Sequence, residues 1–206
     1  MANTMRRGLF HALATFLFPF SSLFLPRTVF LACTASVAST LLLLEFLRLN
    51  FASVNRWFLL FFHPLVREKE VAAVAGSTYV PISTLGVFLL FHRDVAIAAM
   101  CFLAVGDPVS GIVGTRFGRS KLFDKSMEGN LACFLSCLVV GFALSCTALE
   151  LSPLVVLMGA FSAALIQALP LPVNDNLTIP LFSALCMAVT RMLSGANGFW
   201  VFVFSP

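Results

Sequence analysis

The chain has little charge and few tyrosines. Of its 206 residues, 11% are charged and 60% are hydrophobic, with a mean hydropathy of +0.99. Soluble domains carry about 25% charged residues, so this composition excludes an ordinary soluble domain. Twenty-three Phe against one Tyr is typical of lipid-facing helices. The long apolar runs predict an integral membrane protein.

Three common sequence signatures are also missing. None of the six cysteines forms a CxxC pair, and all lie in apolar runs, so we interpret them as small buried hydrophobes. Gly118-Arg119-Ser120 is not the Gly-Lys-Ser/Thr that closes a phosphate-binding P-loop after a strand. No small-residue cleavage site follows the first apolar run, which ends at Pro26 and Arg27. We therefore expect a retained first span rather than a signal peptide.

The apolar runs predict an all-α polytopic integral membrane protein with about seven transmembrane helices, given about 20 residues per span. The predicted spans are 8–25, 28–47, 71–91, 95–114, 130–149, 152–169 and 177–193. Gly76 and Pro81 predict a kink or break in the third span. The mixed segment 48–70 predicts an interfacial helix followed by a loop. With no internal repeat or linker, residues 1–206 form a single membrane-embedded domain.

The basic residues are distributed asymmetrically between the two sides of these spans. With the N-terminus in the cytoplasm, ten lie on that side and three lie outside. The ten are Arg6, Arg7, Arg48, Arg56, Arg67, Lys69, Arg116, Arg119, Lys121 and Lys125, and the three are Arg27, Arg93 and Arg191. The positive-inside rule therefore predicts a cytoplasmic N-terminus and an outside C-terminus. The net charge of +4 thus reflects topology, and we expect no nucleic-acid partner.

The segment from Gly106 to Asn130 is the most polar stretch between apolar runs. It contains five glycines, four bases and three acids, among them Asp107 within an apolar run. A carboxylate at membrane depth is a functional candidate, although Asp107 could instead cap the turn at Pro108. The glycines allow close backbone approach to a ligand or, alternatively, close packing of two helices.

Further polar residues fall on the same predicted side. Ser126 is placed to cap the fifth span, and Glu128 suits the positive end of that helix. Asn174, Asp175 and Asn176 form either a helix cap or a group of ligands for a metal or hydroxyl. The remaining candidates are Glu45 with Arg48 and Arg67 with Glu70, each with the spacing of a helical ion pair, and His11 near Arg7.

Together these segments resemble the polyprenol and diacylglycerol kinase family. That family includes dolichol kinase, phytol kinase and the CTP-dependent diacylglycerol kinase, and it is distantly related to phosphatidate cytidylyltransferases. The matching segments are RRGLFH, LEFLRLN, REKEVAAVAGSTY, GDPVSGIVGTRFGRSKLFDKSMEGN and VNDNLTIPL, in family order along nearly the whole chain. The one departure we note is Arg7, where a lysine is common.

The resemblance implies a multi-pass enzyme of an inner or ER-type membrane that uses CTP, typically with Mg²⁺, to phosphorylate a lipid alcohol at the cytoplasmic face. Its partners are then CTP, the alcohol and membrane lipids. The catalytic candidates are Asp107, Lys125, Glu128 and Asp175. The candidate metal ligands are Asp107 and Asp175. The nucleotide-binding candidates are Gly111, Gly114, Arg116, Gly118, Arg119, Ser126 and Gly129. The general base stays open among Asp175, Glu128 and Glu70.

Two alternatives remain open at the level of the sequence. A cytidylyltransferase would make a CDP-lipid, but its long acidic and glycine-rich signature near the C-terminus is missing. A transporter or scaffold would need no catalysis. A transporter, however, is expected to place its polar residues near the membrane midplane, whereas those of this chain gather on one side.

Overall fold

A computed structural model describes residues 2–62, 70–123 and 125–195, with side chains from Arg7 onward in the first helix. Within these ranges the chain folds into eight helices and one short hairpin. The helices are α1 (Ala2–Phe24), α2 (Arg27–Asn50), α3 (Ala52–Phe62), α4 (Gly76–Leu90), α5 (Arg93–Phe117), α6 (Met127–Ser145), α7 (Pro153–Ala168) and α8 (Asp175–Leu193). Strands β1 (Lys121–Leu122) and β2 (Lys125–Ser126) pair antiparallel between α5 and α6. The predicted all-helical class is confirmed.

Helix α5 forms the centre of the bundle. It packs against α1, α4, α6, α7 and α8, and residues 94–104 of its first half are all buried. Small side chains and glycines make this contact close. A Cβ on Gly141 or Gly159 would come within about 3 Å of the Phe102 ring. The second half of α5 emerges from this core, which leaves Asp107 partly exposed and Gly111 exposed.

Each predicted span corresponds to one helix, with differences at the ends. The third begins at Gly76 rather than at 71, so the predicted break is a helix start, and Pro81 lies inside an uninterrupted α4. The fifth begins at Met127, three residues before the prediction, because Ser126 caps it. The expected interfacial segment contains α3, which is separate from α2 and exposes Trp57 and Leu60.

Four helices of the described part of the chain are long and apolar enough to cross a membrane: α2, α5, α6 and α8. Helices α4 and α7 are apolar but shorter, with 15 and 16 residues. Helix α1 carries a row of exposed apolar side chains that includes Leu13, Leu17 and Phe24. A bundle with this much apolar outer surface belongs in a membrane.

Apart from the short α3, successive helices run in opposite directions, so the bundle has two polar ends. The hairpin end contains the hairpin, the ends of α5 and α7 and the starts of α4, α6 and α8. At the opposite end, the guanidinium of Arg191 donates to Glu150 Oε2 at 2.8 Å, and the Glu150 amide donates to Asp94 at 3.2 Å. Arg93 of α5 donates to the carbonyl of Ser22 in α1 there. These bonds join α1, α5, α8 and the loop between α6 and α7 at the opposite end.

Candidate active site

Lys125 connects three separate segments at the hairpin end. Its Nζ lies 2.9 Å from Asp175 Oδ2, in the first turn of α8, and it also donates to the carbonyl of Gln167 near the end of α7. Both ionic side chains are partly exposed, Lys125 at 32% and Asp175 at 26%. A lysine held by one carboxylate and one carbonyl keeps donor capacity for an anionic ligand.

The hairpin is fixed to α6 by two local interactions. Ser126 caps α6, with its hydroxyl accepting from the Gly129 amide at 3.1 Å. The Met127 amide donates to the Ser120 carbonyl at 2.9 Å. Ser126 is the helix cap that the sequence predicts, and these bonds occupy two of the first amides of α6, so fewer remain for a phosphate.

Glu128 completes the same turn. Both of its carboxylate oxygens accept from the Ser120 amide, at 3.0 and 3.4 Å. The carboxylate therefore fixes the loop between α5 and the hairpin, and in the turn of that hairpin Phe123 adopts a positive φ of 56°. Asp175 contacts Lys125, whereas Glu128 contacts Ser120, so the two carboxylates engage different partners.

An open groove lies beside this loop. It has a volume of about 430 Å³ and is lined by Arg116, Phe117, Gly118, Arg119 and Glu128. This volume falls within the range of about 300–1,000 Å³ that is usual for small-ligand sites. Two arginines at the end of an apolar helix provide planar donors that suit phosphate oxygens.

The glycines of the central segment serve two different purposes. A Cβ at Gly114 would lie 2.8 Å from Ser126 Oγ, and one at Gly129 would lie 2.7 Å from the Ser110 carbonyl. Gly118 is similarly crowded by Ser126. These three glycines therefore allow α5, α6 and the hairpin to pack closely. Gly111 differs, because no described atom beyond its chain neighbours and the adjacent backbone of α5 lies within 4 Å of the Cβ it would have.

Asp107 lies on α5 against α1. Its Oδ2 is 4.0 Å from His11 Nε2, with both side chains about one-fifth exposed. A Cβ on Gly8 would lie 3.5 Å from Pro108, so α1 approaches α5 closely beside this pair. A Cβ on the neighbouring Gly106 would lie 2.9 Å from Sγ of the buried Cys133, so this part of α5 packs directly against α6.

Residues 174–176 connect the start of α8 to the start of α4. Asn174 caps α8 by accepting from the Asn176 amide at 3.0 Å, and Asn176 Nδ2 donates to the Gly76 carbonyl at 2.8 Å. Glu70 accepts from the Gly76 amide at 3.1 Å. A side chain at Gly76 would press on both asparagines and on Glu70. These bonds hold Asp175 beside Lys125.

Arg48 is a structural residue of the same end. It is 1% exposed, and its guanidinium bonds Glu45 Oε2 at 2.7 Å and the Ala73 carbonyl at 2.6 Å. It also lies 5.0 Å from the centre of the Phe58 ring. Arg48 thus joins α2, α3 and the chain before α4, and Glu45 is its helical ion-pair partner, as the spacing predicts.

Sequence reasoning missed two polar residues near these contacts. Gln167 is 3% exposed and accepts Lys125 through its backbone, while its Oε1 is buried without a partner among the described residues. Asn130 Oδ1, in the first turns of α6, is also buried without a hydrogen-bond partner among the described residues. The signal for Gln167 was an amide in the stretch LVVLMGAFSAALIQAL, whose one other polar side chain is Ser162.

The described acidic side chains offer single ligands rather than a closed metal site. In the described ranges no three His, Cys, Asp or Glu side chains group closely enough to enclose an ion. Mg²⁺ is usually bound by one or two carboxylates together with phosphates and waters. Asp107 and Asp175 are both partly exposed, and each presents carboxylate oxygens of this kind. Arg67, predicted to pair with Glu70, and the Arg6 side chain lie outside the described residues.

Comparison with known proteins supports a lipid kinase. The chain is 27% identical over 191 residues to an uncharacterized protein of Rickettsia prowazekii, covering 90% of this chain and 92% of that one. It is 25% identical over 171 residues to CTP-dependent diacylglycerol kinase 1 of Saccharomyces cerevisiae, covering 71% of this chain and 59% of that one. It is 32% identical over 128 residues to the chloroplastic farnesol kinase of Arabidopsis thaliana, covering 53% and 41%.

The chain thus spans about three-fifths and two-fifths of the lengths of the two kinases that it matches. No family model matches the chain. No solved structure matches it either. The two distant kinases support the family that the sequence motifs resemble and, with the apolar helices, a membrane protein with a kinase kind of activity.

Proposed function

We propose that this protein transfers the γ-phosphoryl group of CTP to the hydroxyl of a membrane lipid alcohol. The observation that carries the proposal is the meeting of Lys125, Asp175 and the Gln167 carbonyl at the hairpin end, in a chain that also carries the arginine-lined groove there. The similarity to a CTP-dependent diacylglycerol kinase supports CTP as the donor. That similarity and the farnesol kinase support a lipid alcohol as the acceptor.

Phosphoryl transfer requires positioning and charge neutralisation. The new bond joins the alcohol oxygen to the γ-phosphorus, the bond from that phosphorus to the β–γ bridging oxygen breaks, and CDP leaves. Arg116 and Arg119 hold the phosphates in the groove, and Lys125 contacts the transferring group. Bound Mg²⁺, held by Asp107 and Asp175, would neutralise phosphate charge.

The alcohol must also lose a proton. Glu128 accepts the Ser120 amide and Glu70 accepts the Gly76 amide, so each carboxylate has a local structural role. Of the three candidate bases, Asp175 is therefore the better proton acceptor. Gly111 can approach a ligand, whereas Gly114, Gly118, Ser126 and Gly129 support the site by shaping the α5–α6 junction.

We further propose that seven helices cross the membrane, with α3 at the interface. In this arrangement the hairpin end faces the cytoplasm, where CTP is available. The ten-to-three asymmetry of basic residues supports the orientation. The short helices α4 and α7 are then spans within a bundle whose neighbours are longer, which a locally thinned bilayer can accommodate.

One assay tests the function directly. The purified protein is incubated in mixed micelles with Mg²⁺, a panel of lipid alcohols (dolichol, a shorter polyprenol, phytol, farnesol and diacylglycerol) and CTP or ATP labelled at the γ-position. We expect label to move from CTP to a lipid monophosphate. Release of pyrophosphate with a cytidine-bearing lipid would identify a cytidylyltransferase instead. Absence of transfer from either nucleotide to any alcohol would refute the kinase proposal.

A further inference from the structure

Gly111 is the one glycine of the central segment whose identity helix packing leaves unexplained. Gly106 is pressed by the thiols of Cys133 and Cys137, and Gly114, Gly118 and Gly129 meet the hairpin and α6 at short range. Gly111 is exposed, and beyond its chain neighbours and the adjacent backbone of α5 no described atom lies within 4 Å of the Cβ it would have. Glycine disfavours a helix, so a glycine inside α5 without a packing reason calls for another explanation.

The position of Gly111 supplies that explanation. It follows Asp107 by one helical turn on the same face of α5, and residues four apart on a helix are neighbours. Asp107 itself is partly exposed, and His11 of α1 approaches it on one side. The absent side chain at 111 therefore leaves open the surface next to a carboxylate that sits within an apolar helix.

The depth of this surface suits a lipid hydroxyl. Gly111 precedes the end of α5 at Phe117 by six residues, or about 9 Å along the helix. The first turn of α6 packs against Ser110 and Gly114, so Gly111 lies level with the start of that apolar helix. The arginine groove begins at Arg116, nearer the helix end. A phosphate bound in the groove and a hydroxyl bound beside Gly111 would lie next to each other along the axis of α5.

On the basis of the proposed function, we propose that Gly111 forms the contact surface for the acceptor lipid. The hydroxyl end of a long-chain alcohol enters laterally from the bilayer, passes over Gly111 and reaches Asp107. The side chain at position 111 therefore determines how much bulk the acceptor can carry next to its hydroxyl. This assigns Gly111 to the acceptor lipid and leaves the nucleotide phosphates to Arg116 and Arg119.

The test replaces Gly111 with Ala and with Leu and measures the steady-state kinetic constants for the lipid alcohol and for CTP separately. We expect kcat/KM for the lipid alcohol to fall by about tenfold or more in Gly111→Leu, and less in Gly111→Ala, because the added side chain fills the acceptor surface. KM for CTP should stay within about twofold of wild type. Ala143→Leu is the matched control, since Ala143 is an exposed small residue near the far end of α6.

A binding measurement that does not depend on turnover completes the test. A lipid alcohol with a photoactivatable group near its hydroxyl should cross-link to the α5 peptide around Gly111 in wild type, and much less in Gly111→Leu. Thermal midpoints of both variants should not fall below that of wild type. A raised KM for CTP alone, an unchanged acceptor kcat/KM, or a lowered midpoint would each overturn the inference.

The outcome for the wild-type protein separates this inference from the proposed function. A wild-type protein that phosphorylates no lipid alcohol refutes the kinase proposal. An active wild type with an indifferent Gly111→Leu variant refutes only the acceptor surface and leaves the kinase proposal standing.

Discussion

Asp107 is a carboxylate within an apolar helix, and retaining it there requires a compensating role. His11 lies 4.0 Å from it and is partly exposed, so the contact alone is a weak reason to keep the charge. Replacing Asp107 with Asn retains the size and removes the charge. We expect activity to fall by about 10²-fold or more, the scale of losing one preorganised electrostatic group. The radiolabel assay with saturating CTP measures this, and full activity would remove Asp107 from the site.

Lys125 provides a second test at the residue scale. Lys125→Ala removes the Nζ that bonds Asp175 and Gln167. We expect a severe loss of kcat, because a phosphate contact that strengthens in the transition state affects turnover as well as affinity. Lys121→Ala is the control, since Lys121 is an exposed base of the same hairpin. Equal losses of activity in the two variants would mean that Lys125 contributes only to the overall positive charge of the hairpin and makes no specific phosphate contact.

Arg48 predicts an effect on stability. It is fully buried and bonds Glu45 and the carbonyls of Glu70 and Ala73. Arg48→Ala leaves the buried Glu45 carboxylate without that partner, so we expect destabilisation of about 3–5 kcal/mol. Denaturant unfolding in detergent measures it. Arg56→Ala, at an exposed position of α3, should change the unfolding free energy little, and a similar loss in both variants would contradict the role of Arg48.

At the scale of elements, the junction of α5 and α6 depends on glycines at defined positions. Gly114→Ala would place a methyl 2.8 Å from Ser126 Oγ, which we expect to destabilise the protein by about 1–3 kcal/mol through overpacking. The space beside Gly111 is open, so Gly111→Ala should raise the free energy of unfolding by up to about 1 kcal/mol through helix propensity. Thermal unfolding of the pair measures the contrast. A loss of stability at 111 equal to that at 114 would show that both positions pack.

The order and approximate extent of the helices could be predicted, because apolar runs and caps are local properties. Ser126 as a cap and Arg48 with Glu45 as a pair follow from spacing alone. A break near Gly76 was predicted, but that α4 starts there could not be, because residues before Gly76 supply carbonyls to Arg48, which is more than 20 residues away in the chain. Such a contact requires the packing of α2 against α4.

The site was only partly accessible to sequence reasoning for the same reason. The predicted topology put Lys125 and Asp175 on the same side of the membrane, although 50 residues separate them. The structure brings the two side chains into contact. Their roles remain predictions. The sequence could not show that Gly114 packs against α6 while Gly111 is open. Both glycines belong to one stripe of small residues, and only the position of α6 distinguishes them.

At the scale of the whole molecule, the bundle separates its two polar ends. The hairpin end combines cations, carboxylates and a groove. The opposite end consists of bonds among His92, Asp94, Glu150 and Arg191 that connect the loops. An exposed apolar belt lies between them, so a nucleotide and a lipid can approach the hairpin end from different directions, one from water and one from the bilayer.

This arrangement predicts which side of the membrane each end faces. Ser120 lies in the exposed loop of the hairpin end, and Cys146 is exposed at the far end of α6. Two variants serve as reporters, one that retains only Cys146 and one that carries only Ser120→Cys, with the other native cysteines replaced by Ser or Ala. In sealed vesicles of known orientation, a membrane-impermeant maleimide should label the two reporters from opposite sides, with Ser120→Cys reacting from the cytoplasmic side. Both must first retain kinase activity, which controls for misfolding.

Labelling of both from the same side would contradict the proposed spans, because α6 would then not cross the bilayer. Labelling from opposite sides, but with Cys146 facing the cytoplasm, would reverse the orientation and place the site away from CTP.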